Sequence, residues 1–353
     1  MELQKVVQDA IDEQVRSGRE VAVQVAVYRD GELIVDAVAG PATSSTLFYT
    51  WSMGKAMTAT LVHRLVERGV LDYSMPVADV WPAFAAKGKS RVTLRHVLQH
   101  TAGVPGIGAT TTVSEICDWD LICERIADSE LWWEPGTQVG YHAYTFGYIL
   151  GEVCRRAGGK PLGELLRQEI GVPLGVADEL WFGLPASEQH RLAPLVDPPA
   201  PPGMSFELPP DSPMARASAL ELWPTAALGN RPDVLAADIP AGGKMTAWAI
   251  ARLYASLIGD VDGVRLLSPG TIAAIQADTY AGTDQVFGHP ARFGLGFALS
   301  RLGEEGGDAL AWGGMGGTFG YGDPSTGIAF AYCKNLQTAD FDNATEIVNL
   351  VNA

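Results

Sequence analysis

Residues that favour β-strands are gathered at the two ends of this 353-residue chain, and a long stretch of helical patterning separates them. Near the start, VAVQVAVYR and ELIVDAVAG flank Asp30-Gly31, a dipeptide suited to a tight hairpin. Near the end, RFGLGFALSR, DALAWGG, GTFGYGD and GIAFAYCKN read as short strands divided by glycines and by the turn Asp323-Pro324-Ser325-Thr326-Gly327. Antiparallel strands at both ends pair most economically into one sheet. A first helix, with Leu3, Val6, Val7, Ala10, Ile11 and Val15 on one face and Gly18 at its end, and a last helix over about residues 340–351 would cover a face of that sheet. The pattern therefore predicts an α+β fold. Residues 1–60 with 285–353 form the sheet domain, and 61–284 form an inserted, mostly helical domain.

Helical spacing recurs from Ser52, just before the insertion, through Met57, Leu61, Leu65 and Val66 to a stop at Gly69. It recurs again over 94–99, 146–156, 162–170 and 247–258. Residues 194–213 contain eight prolines, too many for regular structure, and are interrupted by Met204, Phe206 and Leu208. This stretch reads as an ordered wrapping loop over the active site rather than a Gly/Ser linker.

Composition narrows the function. The formal net charge of -16 repels phosphate backbones and anionic membranes, so nucleic acid and membrane surfaces are not expected partners. Cys117, Cys123, Cys154 and Cys333 form no CxxC pair and no zinc-like cluster with histidine, so they read as reduced core thiols, with no metal and no cofactor. The N-terminal residues lack the basic head and apolar run of a signal peptide, which points to a cytoplasmic protein.

The chemistry concentrates at Ser52-Met53-Gly54-Lys55, where an aromatic FYTW run gives way to a helix. Positions i and i+3 share a helix face, so the Lys55 amine can approach the Ser52 hydroxyl. A lysine whose pKa is depressed by burial can take the serine proton and make it a nucleophile. The helix N-terminus places a backbone N–H and a positive dipole end beside any oxyanion formed there. Taken alone, Tyr141 is either a half-buried aromatic or a proton-transfer group. Trp312-Gly313-Gly314 is either a bend in a sheet or a backbone that comes close to a substrate.

FYTWSMGKAMTATLVHRLVERGVLDYSMPVADVWPAF followed by VTLRHVLQHTAGVPG resembles the nucleophile helix and following segment of the serine β-lactamase-like family. The family includes class C β-lactamases, DD-peptidases, family VIII carboxylesterases and related acyltransferases. The likeness continues in EPGTQVGYHAYTFGYILGEVCRRAGGKPLGELLRQEI and in AWGGMGGTFGYGDPSTGIAFAY, so it covers about half of the chain. It implies a β-lactamase-like antiparallel sheet and gives Tyr141, in Tyr141-His142-Ala143, the place of the tyrosine that shuttles protons beside Ser52 and Lys55. It puts Trp312-Gly313-Gly314 where the family carries K-T-G or H-x-G. By analogy the N–H groups of Ser52 and Met315 would form an oxyanion hole.

Two departures from the family pattern bear on substrate. Trp312 replaces a lysine that orients a substrate carboxylate, and Ala143 replaces the asparagine of Y-x-N. Some family VIII esterases resemble this chain in carrying W-G-G. The resemblance thus implies a carboxylesterase acting on uncharged acyl groups. The same acyl-enzyme would also serve an acyltransferase moving the group to an alcohol or amine acceptor. A β-lactamase or DD-peptidase, and a non-catalytic binding protein, remain the other readings. The expected partner is a small-molecule acyl ester or amide, with Trp312, Gly313, Gly314 and His142 as substrate-binding residues. His63 and His100 read as structural histidines.

Overall fold

The computed structural model describes residues 2–199, 209, 211–304 and 306–353. Its main sheet has eight strands: β1 (Val23–Arg29), β2 (Glu32–Ala39), β6 (Tyr280–Thr283), β7 (Pro290–Phe293), β8 (Ala298–Leu299), β9 (Leu310–Gly314), β10 (Thr318–Asp323) and β11 (Ile328–Lys334). Their spatial order is β2-β1-β11-β10-β9-β8-β7-β6, all neighbours antiparallel. The chain ends meet where β1 pairs with β11, in register from Val23 opposite Lys334 to Arg29 opposite Ile328. Asp30 and Gly31 close the β1–β2 hairpin with φ of 52° and 83°, the left-handed pair that a two-residue turn of this twist requires.

Alternation along β1 sorts its side chains between two cores. Val23, Val25 and Val27 face the helices Glu2–Arg16 and Asp342–Asn352, meeting Val7, Ile11 and Ile347. Ala26 and Tyr28 face the other way, into the larger core shared with the helical part. The first helix buries Val7, Ile11 and Gln14, whereas Val6 stays exposed. Gln14 accepts a hydrogen bond from the Tyr332 hydroxyl at 2.7 Å, so this face is not purely apolar.

The sheet takes in more of the chain than the sequence division at 285 allows. β6 precedes that boundary, and the helix Ala247–Ile258 packs across β1, β10 and β11. Helical periodicity shows that a helix has an apolar face but not which layer receives it. A second, three-stranded sheet was not foreseen. It joins β3 (Phe48–Trp51), β5 (Gly243–Met245) and β4 (Leu180–Trp181), strands of two to four residues that leave little pattern to read. RFGLGFALSR forms β7 and β8 rather than one strand. At its interruption, a Cβ on Gly294 would lie 2.2 Å from the Ile275 carbonyl oxygen, so only glycine fits. Half of the wrapping loop expected over 194–213, residues 200–208 and 210, lies outside the described residues. All four cysteines are free, three buried and Cys117 half-buried. Among the described residues, no helix is long and apolar enough to cross a membrane.

Candidate active site

β3 delivers Ser52, and the helix Gly54–Glu67 that follows carries Lys55. Trp51, the last residue of β3, has a φ of 47°, an uncommon conformation for a residue with a side chain. Its indole N–H donates to Gln337 Oε1 at 2.7 Å, and its ring packs on Tyr49 with centroids 4.2 Å apart. Those contacts hold the kink that turns strand into helix and presents Ser52 at the edge of a cavity.

Lys55 is fully buried. Its Nζ donates to Ser52 Oγ at 3.1 Å and to the Ala143 carbonyl oxygen at 2.7 Å. It lies 4.8 Å from the Tyr141 ring centroid and 5.7 Å from that of Trp312. Burial disfavours the ammonium and lowers its pKa from 10.5 to about 7. The Ala143 carbonyl thus supplies a contact to Lys55 that needs no asparagine side chain at that position.

Tyr141 enters from the turn before the helix Thr145–Gly158, with the Ser52 side chain near enough to its hydroxyl to favour the phenolate. Its pKa is raised, not lowered, by its surroundings. Burial raises it, the Ser52 side chain opposes that only in part, and the Asp284 carboxylate raises it further. Tyr141 is therefore a neutral phenol at rest.

Two proposed substrate contacts are displaced. His142 is fully buried; its Nδ1 bonds the Gly140 carbonyl at 2.6 Å and its Nε2 accepts the Val104 N–H at 3.1 Å. Both ring nitrogens are spent on the fold, so it does not line the cavity. Trp312 is 4 % exposed and donates its indole N–H to the Gly296 carbonyl oxygen at 2.8 Å. Alternation on β9 sends its ring into the core beside Lys55, not into the cleft. Its apolar surface therefore shields the lysine. His63 and His100 are also fully buried, as structural histidines would be.

Gly313, Gly314 and Met315 do border the cavity. β9 ends against β3: a Cβ on Gly314 would lie 2.1 Å from the Thr50 carbonyl oxygen and 2.2 Å from Thr318 Oγ1. The Thr318 hydroxyl donates to that same carbonyl at 3.2 Å. This contact brings the start of the turn at Met315 alongside Ser52. Gly314→Ala is expected to lower unfolding stability by about 3 kcal/mol, because the added methyl meets backbone rather than a flexible side chain. A urea midpoint equal to wild type would show that β9 moves without cost.

The cavity has a volume of about 390 Å³. Tyr144, Leu222, Trp223, Phe287, Met315 and Phe341 make up much of its wall, and no Lys, Arg, Asp or Glu is among the described residues that line it. Sequence reading missed Tyr144, Trp223, Phe287 and the buried Asp284 behind the wall, since isolated aromatics and acids carry no periodic or motif signal. Among the described residues, no group of three or more His, Cys, Asp or Glu could hold a metal ion.

A model of the family described as Beta-lactamase matches residues 7–353. The chain belongs to the beta-lactamase family. Among its curated relatives in this family is the esterase/beta-lactamase LipL of Mycobacterium tuberculosis, 33% identical over 88% of this chain and 76% of the relative. A family VIII carboxylesterase crystal structure superposes with a TM-score of 0.89 at 31% identity, covering 99% of this chain and 97% of the other. A penicillin-binding protein homologue from Caulobacter crescentus gives 0.87 at 32% identity, covering 100% and 97%. The chain is thus a serine hydrolase of the beta-lactamase fold with esterase relatives.

Proposed function

We propose that this protein hydrolyses esters of uncharged acyl groups through an acyl-enzyme on Ser52. The observation that carries the reading is a cavity at Ser52 whose described lining is mostly apolar and holds no Lys, Arg, Asp or Glu, with His289 its one imidazole. A substrate carboxylate in that space would lose water without meeting a lysine or arginine, which costs free energy, whereas an apolar acyl chain gains from burial. The family VIII carboxylesterase likeness supports the same choice.

In the proposed course, Ser52 Oγ attacks the acyl carbon while its proton passes to Lys55 Nζ, an amine whose pKa of about 7 leaves much of it neutral near pH 7. The Ala143 carbonyl takes one N–H of Lys55, so the lone pair can face Ser52. The N–H groups of Ser52 and Met315 stabilise the oxyanion. As the tetrahedral intermediate collapses, the phenol of Tyr141 gives its proton to the departing alcohol, and Lys55 returns one to Tyr141. Water then attacks the acyl-enzyme by the reverse proton path.

The test compares kcat/KM for p-nitrophenyl butyrate with that for nitrocefin, an anionic β-lactam. The neutral ester is expected to lead by about tenfold to a hundredfold, the worth of one missing charge-assisted contact. Equal efficiencies would overturn the substrate assignment.

A further inference from the structure

We propose that Asp284 is a positioning residue: one carboxylate fixes Tyr141 for proton delivery and holds the cavity wall at Val286 and Phe287 in place. This rests on the reading of Tyr141 as proton donor to the leaving alcohol. Asp284 is 1 % exposed. Its Oδ2 accepts the backbone N–H of Tyr141 at 2.9 Å. Its Oδ1 accepts the N–H groups of Val286 and Phe287 at 2.8 and 2.9 Å.

The loop between β6 and β7 is closed on itself. The Asp284 N–H donates to the His289 carbonyl at 2.9 Å, and the Gly288 N–H to the Asp284 carbonyl at 2.8 Å. A second tie to the Tyr141 segment runs from the Gln285 N–H to the Val139 carbonyl at 2.9 Å. The Phe287 ring lies 5.6 Å from that of Tyr141, centroid to centroid. The wall that meets substrate and the phenol that serves it are therefore anchored at one side chain. A serine suffices to cap the 284–287 turn; only a longer two-headed acceptor also reaches Tyr141. The negative charge beside the phenol also opposes phenolate formation, which keeps the proton available until the leaving group takes it.

The leaving group provides the test. An alkyl alkoxide needs a proton to depart, whereas p-nitrophenolate leaves without one. Asp284→Asn preserves shape, but its NH2 must face a backbone N–H whichever way it turns. Asp284→Ser keeps a turn cap and gives up Tyr141. Both variants are expected to lose about tenfold or more in kcat/KM on ethyl butyrate and less than about threefold on p-nitrophenyl butyrate. Rates are counted per Ser52 labelled by a p-nitrophenyl phosphonate, so misfolded protein does not enter. In a Tyr141→Phe background the same substitutions are expected to add almost nothing. Equal losses on the two esters, or full additivity with Tyr141→Phe, would overturn the role of Asp284. Wild-type protein that takes no phosphonate on Ser52 would instead overturn the ester-hydrolase reading, and this proposal with it.

Discussion

Ser52→Ala is expected to cut kcat on p-nitrophenyl butyrate by roughly 10⁴- to 10⁶-fold and to abolish any mass increase in intact protein mixed with the ester. Alanine removes only the oxygen. The main-chain path of Trp51, the Lys55 contact with Ala143 and the packing of the helix Gly54–Glu67 do not depend on it. The variant should therefore unfold at the wild-type urea midpoint while losing the proposed nucleophilic atom. Residual turnover would come from the cavity and its backbone N–H groups alone. An acyl adduct that persisted in the alanine variant would place the nucleophile elsewhere.

The second large effect belongs to Lys55. As the proposed base it would have to be neutral, so kcat/KM is expected to rise through pH 7 and level off above it, following a pKa of about 7. Lys55→Met should lower kcat by about 10³-fold and flatten that limb. Lys55→Arg is the sharper variant. It keeps a cation but cannot give up a proton in this range, so an equal loss identifies proton transfer rather than charge as what Lys55 supplies. Arginine activity within tenfold of wild type would sink the assignment.

The same depressed pKa has a consequence for stability. Between about 7 and the ordinary lysine value of 10.5, the unfolded chain binds more protons at this site than the folded one, so folding stability rises with pH across that window. Lys244 is also fully buried with a pKa near 7, and it adds to the slope with the same sign. Urea unfolding at pH 7 and pH 9 should show greater stability at the higher pH, with a smaller difference in Lys55→Met.

Much of the frame is legible because it rests on local rules. The Asp30-Gly31 turn, the period-two valines of β1 and the apolar face of 247–258 each express a preference of a few consecutive residues. The Ser52–Lys55 pair is legible for the same reason, since three residues along one helical turn fix its geometry. The site was harder to read where neighbours come from afar. His142 sits next to Tyr141 in sequence, yet Gly140 and Val104 claim both of its nitrogens. Trp312 looked like cleft wall, but the pleat of β9 aims it at Lys55. Short strands such as β4 and β5 have meaning only within the sheet they form with β3, where β5 pairs with both of the others.

Local sequence pattern thus pointed to Ser52 and Lys55 as candidate nucleophile and base, and to the two chain ends sharing a sheet. Tertiary structure alone decided which proton each group holds. The Lys55 pKa near 7, the neutral Tyr141 phenol and the lack of Lys, Arg, Asp or Glu in the described cavity lining come from what packs around them. Desolvation is a property of the whole surrounding volume, assembled here from segments as distant as Ser52, Tyr141, Asp284 and Trp312, and no window of neighbouring residues encodes it.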